Sequence, residues 1–170
     1  MKKSIKLIII ISAVAIAVGM TLSLVGFAAS GFDVRSLSTV NLESFDYSFD
    51  SSEINSITVD SAVADVRIVE SESTDKVEVK ILQDGAMVHS AIVRDGVLNV
   101  TAGELPWYMS LGFAFGDMSV TVYLPSKLIT SLNIETDTGD ISVAKGQTFS
   151  SAEISSDTGD ISFYSAVTAK

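Results

Sequence analysis

The 170-residue sequence has no cysteine, one histidine (His89), two prolines and one tryptophan. Without cysteine no disulfide staples the chain, and neither a thiol nucleophile nor a thiolate metal ligand is available. A lone histidine cannot build a histidine-based metal centre, and a Cys–His pair is excluded. A Ser–His–Asp arrangement survives that count, but no nucleophile-elbow motif accompanies it. His89 stands in Val88-His89-Ser90 and is expected at an exposed strand position. Basic side chains are scarce too. Beyond Ser30 there are eight, against all 21 acidic residues, a balance of −13. So acidic a surface repels phosphate backbones and anionic lipid headgroups, which argues against nucleic-acid binding.

Charge of either sign is missing from Leu7 to Ala29, the one long apolar run. Those 23 residues reach about 34 Å as a helix, enough for a ~30 Å hydrocarbon core. A cleaved signal peptide is the rival, with small residues at Gly26, Ala28 and Ser30 suited to a cleavage site. Signal-peptide apolar regions are normally only ~7–15 residues, so the length favours a retained anchor. In both cases Lys2, Lys3 and Lys6 stay on the cytoplasmic side and the remainder is exported. The sequence divides into an anchor or signal peptide at 1–30, a juxtamembrane spacer at 31–53 and a β domain at 54–170. The lipid bilayer, met through residues 7–29, is the first expected partner.

Helical periodicity is absent beyond the anchor, and what replaces it is alternation. Ile57 and Val59; Val66 and Ile68; Val77, Val79 and Ile81; Leu98 and Val100; Val120, Val122 and Leu124; Leu132 and Ile134 predict short strands. Asp84-Gly85 and Asp95-Gly96 predict tight turns. One phrase also comes round twice. Asp137-Thr138-Gly139-Asp140-Ile141-Ser142-Val143 returns twenty positions later as Asp157-Thr158-Gly159-Asp160-Ile161-Ser162-Phe163, with Ile134 and Ile154 three residues before each. A worn copy lies upstream, with Val59, Ala64, Asp65, Val66 and Ile68 in the places of Ile134, Gly139, Asp140, Ile141 and Val143.

A fixed period of this size predicts coils stacked at about 4.8 Å, each offering its neighbour the same stripe. The expected class is all-β, a β-solenoid like a right-handed β-helix, following a single transmembrane helix. An antiparallel meander, with each phrase at a hairpin tip, is the alternative. In the solenoid Ile141 and Ile161 both point inward, so an aspartate at either buries an unpaired charge, while Ser142 and Ser162 point outward. Met87 to Leu124 lacks the repeat and is expected to hold ordinary hairpins or a long excursion.

Ser-Ala-Val-Ala-Asp-Val-Arg-Ile (61–68), Asp-Gly-Val-Leu-Asn-Val (95–100), Val-Tyr-Leu-Pro (122–125) and the repeated Thr-Gly-Asp-Ile resemble the bacterial DUF4097 domain family. The resemblance runs from Ile54 to the end. It implies a membrane-anchored or exported β-helical repeat protein with an adhesin-type role. The family usually continues for several more Gly-Asp-Ile coils, which implies either a short member or a truncated one.

The functional motifs each have a plain structural reading. Asp-Thr-Gly, at 137–139 and 157–159, is the aspartic-protease signature. That chemistry needs two carboxylates across a pseudo-two-fold axis, whereas stacked coils are related by translation. Aspartates capping turns and glycines at positive φ account for the phrase. Calcium wants six to eight oxygens, and the pattern is not the glycine-rich nonapeptide of calcium β-rolls. The stretch Leu105 to Gly116 gathers Trp107, Tyr108, Met109, Phe113 and Phe115, either a contact surface or a hydrophobic flap. No catalytic, cofactor-binding or metal-ligating residue is singled out, and no cofactor is expected.

The resulting expectation is a non-enzymatic, membrane-anchored extracytoplasmic module of the bacterial cell envelope, acting through surface contacts. An envelope-stress or signalling accessory that meets a membrane partner is a second reading, and a polysaccharide-active enzyme a third. Residues 164–170 form a poor cap for the last coil. That end is therefore expected to continue in further coils, or to dock a protein, a glycan or a second copy of the chain.

Overall fold

The structure, a computed structural model, describes residues 3–29, 31–32, 42–84, 89–103, 117–126 and 128–168. It divides into two units, residues 1–39 and 40–170.

The first unit is one helix, α1 (Lys3–Ala29), whose residues from Ile5 onward are long and apolar enough to cross a membrane. Two of its hydroxyls bond back into the helix, Thr21 Oγ1 donating to the Ala17 carbonyl and Ser23 Oγ to that of Gly19, both at 2.9 Å. Such back-bonding is how hydroxyls are accommodated where water is absent. The helix is closed by a Schellman turn: Gly31 adopts φ 72°, its N–H donates to the Ala28 carbonyl, and the Phe32 N–H reaches back to Phe27. Phe27 and Phe32 meet edge to face at 5.3 Å, the apolar contact that accompanies this motif.

Among its described residues the second unit has twelve strands: β1 (Leu42–Asp50), β2 (Ser56–Ser61), β3 (Asp65–Glu70), β4 (Lys76–Asp84), β5 (Ser90–Arg94), β6 (Val97–Thr101), β7 (Ser119–Leu124), β8 (Leu128–Thr138), β9 (Ile141–Val143), β10 (Thr148–Thr158), β11 (Ile161–Phe163) and β12 (Ala166–Val167). They form two six-stranded sheets, ordered β1-β4-β7-β3-β9-β11 and β12-β10-β8-β2-β6-β5. Alternation decides which side chains enter the space between them. Val66, Ile68, Val120, Val122 and Ile141 from the first sheet share one core with Ile57, Val59, Leu98, Leu132, Ile134 and Phe149 from the second. Burying a side chain of this size contributes roughly 1.5–3 kcal/mol.

The repeat is read directly in the register. β8 and β10 pair in parallel with Ile134 opposite Ile154, and β9 and β11 with Ile141 opposite Ile161. The worn copy stacks beneath them, Val59 opposite Ile134, Val66 opposite Ile141 and Ile68 opposite Val143. Each coil is thus a strand of the second sheet followed by a strand of the first.

The regular solenoid, however, needs correction: no closed solenoid is formed. The β2–β3 coil is inserted between β8–β9 and the pair β6–β7, out of chain order. β4 then runs antiparallel to β7, β1 antiparallel to β4, and β5 antiparallel to β6. The β5–β6 hairpin turns at Asp95-Gly96, both at positive φ (53° and 80°), as the Asp-Gly signal anticipates. One side of the stack is therefore finished with antiparallel strands, and the other ends at β11 and β12.

The segment expected as a spacer contains a strand. Its residues 42–50 are a full edge strand, with Phe45, Tyr47 and Phe49 half-buried against the core. The Asp84-Gly85 turn reaches into residues 85–88, outside the described residues.

Candidate functional site

Two places in the β unit concentrate polar groups: the stacked Asp-Thr-Gly-Asp turns and a cluster around His89. In the turns, Gly139 and Gly159 adopt φ 154° and 150°. A Cβ on Gly139 would overlap the Ala64 backbone carbonyl, and one on Gly159 would overlap the Gly139 carbonyl. Only glycine lets coils approach this closely at the corner.

Carboxylates at this corner bond across coils. Asp65 Oδ1 accepts the Asp140 N–H at 3.0 Å, and Asp140 Oδ1 accepts the Asp160 N–H at 2.8 Å. A carboxylate receiving a backbone N–H is a charge-assisted bond, stronger than a neutral one. Sequence reasoning put these aspartates on their own turns; the structure makes them the links between copies. The signal was in the spacing, since Asp65, Asp140 and Asp160 share the place before the inward Val66, Ile141 and Ile161. Asp137 and Asp157 stand exposed. Because the two Asp-Thr-Gly triplets stack in parallel register, no two-fold relates them, and the protease geometry is not formed. No group of three or more His, Cys, Asp or Glu side chains suited to a metal occurs among the described residues.

His89 is buried, contrary to the expected exposure. It shares parity with Ala91 and Val93, whose partners Val100 and Leu98 belong to the core, so alternation turns all three inward. That parity was readable, but a lone histidine beside Ser90 suggested a polar face. Gln83 Oε1 accepts both the His89 backbone N–H at 2.6 Å and Nδ1–H at 2.8 Å. A backbone N–H can only donate, which fixes the amide orientation, places the proton on Nδ1 and leaves Nε2 to accept the Ser61 hydroxyl at 3.1 Å. Burial holds the His89 pKa below its ordinary value, partly countered by the Asp60 carboxylate. Gln83 Nε2 and Thr136 Oγ1 are buried without partners. Ser61, Gln83 and His89 form a hydroxyl–imidazole–amide chain with the bond pattern of a hydrolase relay, but all three are sealed inside the core. A buried hydroxyl meets no substrate, so the chain acts as a polar brace joining the ends of β2 and β4 to the start of β5.

The outer edge of the stack is different in kind. Ile161 is 47% exposed and Val167 51%, whereas Ile141, one coil further in, is 1% exposed. The expectation that both isoleucines are buried is corrected for Ile161 accordingly. Phe163 is half-buried and leans on Phe149, with ring centres 6.1 Å apart. The aromatic stretch from Leu105 to Gly116 lies in residues 104–116, outside the described residues.

Residues 54–170 match the Toastrack DUF4097 family, and the chain belongs to it. Among solved structures it is similar to a candidate cell-adhesion protein of Clostridium sporogenes, at 8% identity over 70% of this chain and 59% of that one, with a TM-score of 0.49. A candidate adhesin of Bacteroides fragilis aligns at 16% identity over 76% and 58% of the two chains, with a TM-score of 0.46. A candidate lipid-binding protein of Parabacteroides distasonis aligns at 15% identity over 66% and 50%, with a TM-score of 0.32. The chain spans less than two thirds of the length of each of these three. No curated protein matches it in sequence.

Proposed function

We propose that the chain is a non-enzymatic contact module of the bacterial cell envelope, held at the membrane by α1 and presenting its β unit outside the cytoplasm in an adhesin-type role. The observation that supports the contact role is the outer edge of the stack, where β11 leaves Ile161 half exposed and, among the described residues, one side of its backbone unpaired. Exposed strand edges pair with other chains unless they are covered, so such an edge is a ready binding surface. The anchoring role is supported by the length and apolarity of α1, by its internally bonded hydroxyls and by the lysines before it. The reading as a binder rather than an enzyme rests on the burial of Ser61 and His89.

Protease treatment of intact spheroplasts tests the topology. The β unit should be digested from outside while α1 remains in the membrane fraction. Release of a soluble fragment beginning near Ala29 or Gly31 would show that α1 is a cleaved signal peptide.

A further inference from the structure

Two aspartate–lysine pairs stand on β1 and β4, and they behave differently. Asp50 faces Lys76 and Asp46 faces Lys80 across the same antiparallel ladder. Side chains directly opposite on one face are within reach of each other, so both pairs are placed to close. Lys76 does close, its Nζ lying 3.8 Å from the Asp50 carboxylate. Lys80 does not. Its Nζ sits over the ring of Tyr123 on β7, 5.3 Å from the ring centre, and makes no ion pair among the described residues. Tyr123 is the cross-strand partner of Glu78 and so lies diagonal to Lys80, where the negative face of an aromatic ring holds an ammonium.

Beside the displaced lysine, β1 and β4 enclose a groove of about 260 Å³ lined by Asp46, Tyr47, Ser48, Glu78 and Lys80. Asp46, Ser48 and Lys80 are exposed and Glu78 partly so, which leaves the groove open to solvent. The side chains of Asp46, Ser48 and Glu78 make no hydrogen bond or ion pair among the described residues. The groove therefore offers two carboxylates that only accept, an ammonium that only donates and a hydroxyl that does both.

That set selects by charge. An anion meets two carboxylates for one ammonium, and a cation meets Lys80. A neutral polyhydroxylated ring satisfies every member, since each of its hydroxyls can donate to a carboxylate and accept from the ammonium. Size narrows the choice further. Pockets for drug-sized ligands run from about 300 to 1,000 Å³, so this groove takes a single ring, and its open side lets that ring belong to a longer chain.

We propose that the groove between β1 and β4 binds one neutral sugar ring of a glycan, with Asp46 and Glu78 accepting from its hydroxyls, Lys80 donating to it and Ser48 completing the set. Tyr123 is a positioning residue: by holding Lys80 it keeps Asp46 free for the ligand. The groove lies at the opposite end of its sheet from β11. The inference rests on the contact-module reading and supplies a ligand class for it.

The test titrates the full chain, in micelles of a detergent without a sugar headgroup, with methyl glucoside, methyl galactoside and methyl mannoside, followed by amide NMR. At least one should bind with a millimolar Kd and shift the amides of 46–48 and 78–80 saturably. The uronate and the amino sugar of the same ring should bind more weakly. Asp46→Ala and Glu78→Ala should each weaken binding at least threefold, whereas Lys76→Ala breaks only the neighbouring pair and should weaken it less than either. Tyr123→Leu should weaken binding at least threefold and Tyr123→Phe, which keeps the ring, should restore it. All these side chains stand on the outward face, and the unshifted remainder of the amide spectrum reports an intact fold. Absence of saturable shifts with all three glycosides, tighter binding of a charged counterpart, or losses below threefold in the groove variants overturns the proposal. Either result leaves the spheroplast outcome untouched, so failure here and failure of the anchored-module reading are told apart.

Discussion

The two copies of the Asp-Thr-Gly-Asp-Ile-Ser phrase are identical for six residues, yet Ile141 is sealed and Ile161 is half exposed. Nothing in the phrase accounts for this. The inner copy is covered because β11 lies upon β9, and the outer is exposed because β11 is the edge of its sheet among the described residues. Burial in a stacked repeat is thus supplied by the neighbour, and a repeated sequence does not imply repeated energetics. The same holds for the aspartates: Asp140 is a structural link because Asp160 stands above it, while the Asp160 carboxylate makes no such link among the described residues. What is core in one copy is exposed edge in the next.

Substitutions at matched positions sharpen that contrast. The largest expected effect is at Ile141, where Asp buries an unpaired charge and should cost about 3–5 kcal/mol of unfolding free energy. Ile161→Asp should cost only about 1 kcal/mol, since the new charge reaches water. Equal losses, measured by denaturant titration, would dissolve the distinction between the copies.

Glycine comes next. Gly139→Ala forces a Cβ against the Ala64 carbonyl, with β10–β11 packed above, and should cost about 2–3 kcal/mol. Gly159→Ala makes the same kind of overlap against Gly139, but its coil lies at the edge and can shift outward, so about 1–2 kcal/mol is expected. The order of the two losses matters more than their sizes.

His89 gives a smaller, pH-dependent effect from the closed side of the molecule. Because burial lowers its pKa in the fold, the unfolded chain binds the proton more readily. The stabilising contribution of the neutral imidazole is complete above the ordinary value near 6.5 and is lost as pH falls below it toward the lowered folded value. The slope is at most about 1.4 kcal/mol per pH unit. His89→Gln should remove that component of the pH dependence, read from unfolding curves taken across this range. The smallest expected effects are at Ser142 and Ser162, which face outward in register, where alanine should change stability by less than ~0.5 kcal/mol.

What the sequence disclosed follows the same division. Where copies repeat, their pairing was legible to the residue, including the match of Val59 and Val66 to Ile134 and Ile141 across 75 positions. Identical stripes can only stack in register, so periodicity suffices there. Where the chain does not repeat, alternation located β4, β6 and β7 but could not say which strands are neighbours. The placement of β2–β3 between β6–β7 and β8–β9 is a long-range choice without local signal. β1 was legible in principle: Phe45, Tyr47 and Phe49 alternate with Asp46, Ser48 and Asp50, a strand pattern masked by the polar richness of the segment around it. The inward turn of His89 was hidden for the opposite reason, since a polar residue at an inward parity looks like a surface position until its partners, Ser61 and Gln83, are known. The open edge was foreseen as a poorly capped coil, but its hydrogen-bonding order was not, because the link from each aspartate to the next copy exists only once coils are stacked.

Amide hydrogen exchange in the full chain tests the central claim, that covering by a neighbour alone separates the two copies. The Ile141 N–H, which donates to the Asp160 carbonyl, should be strongly protected, and the Ile161 N–H should exchange close to the rate of an unstructured peptide. Equal protection at the two positions would contradict the account.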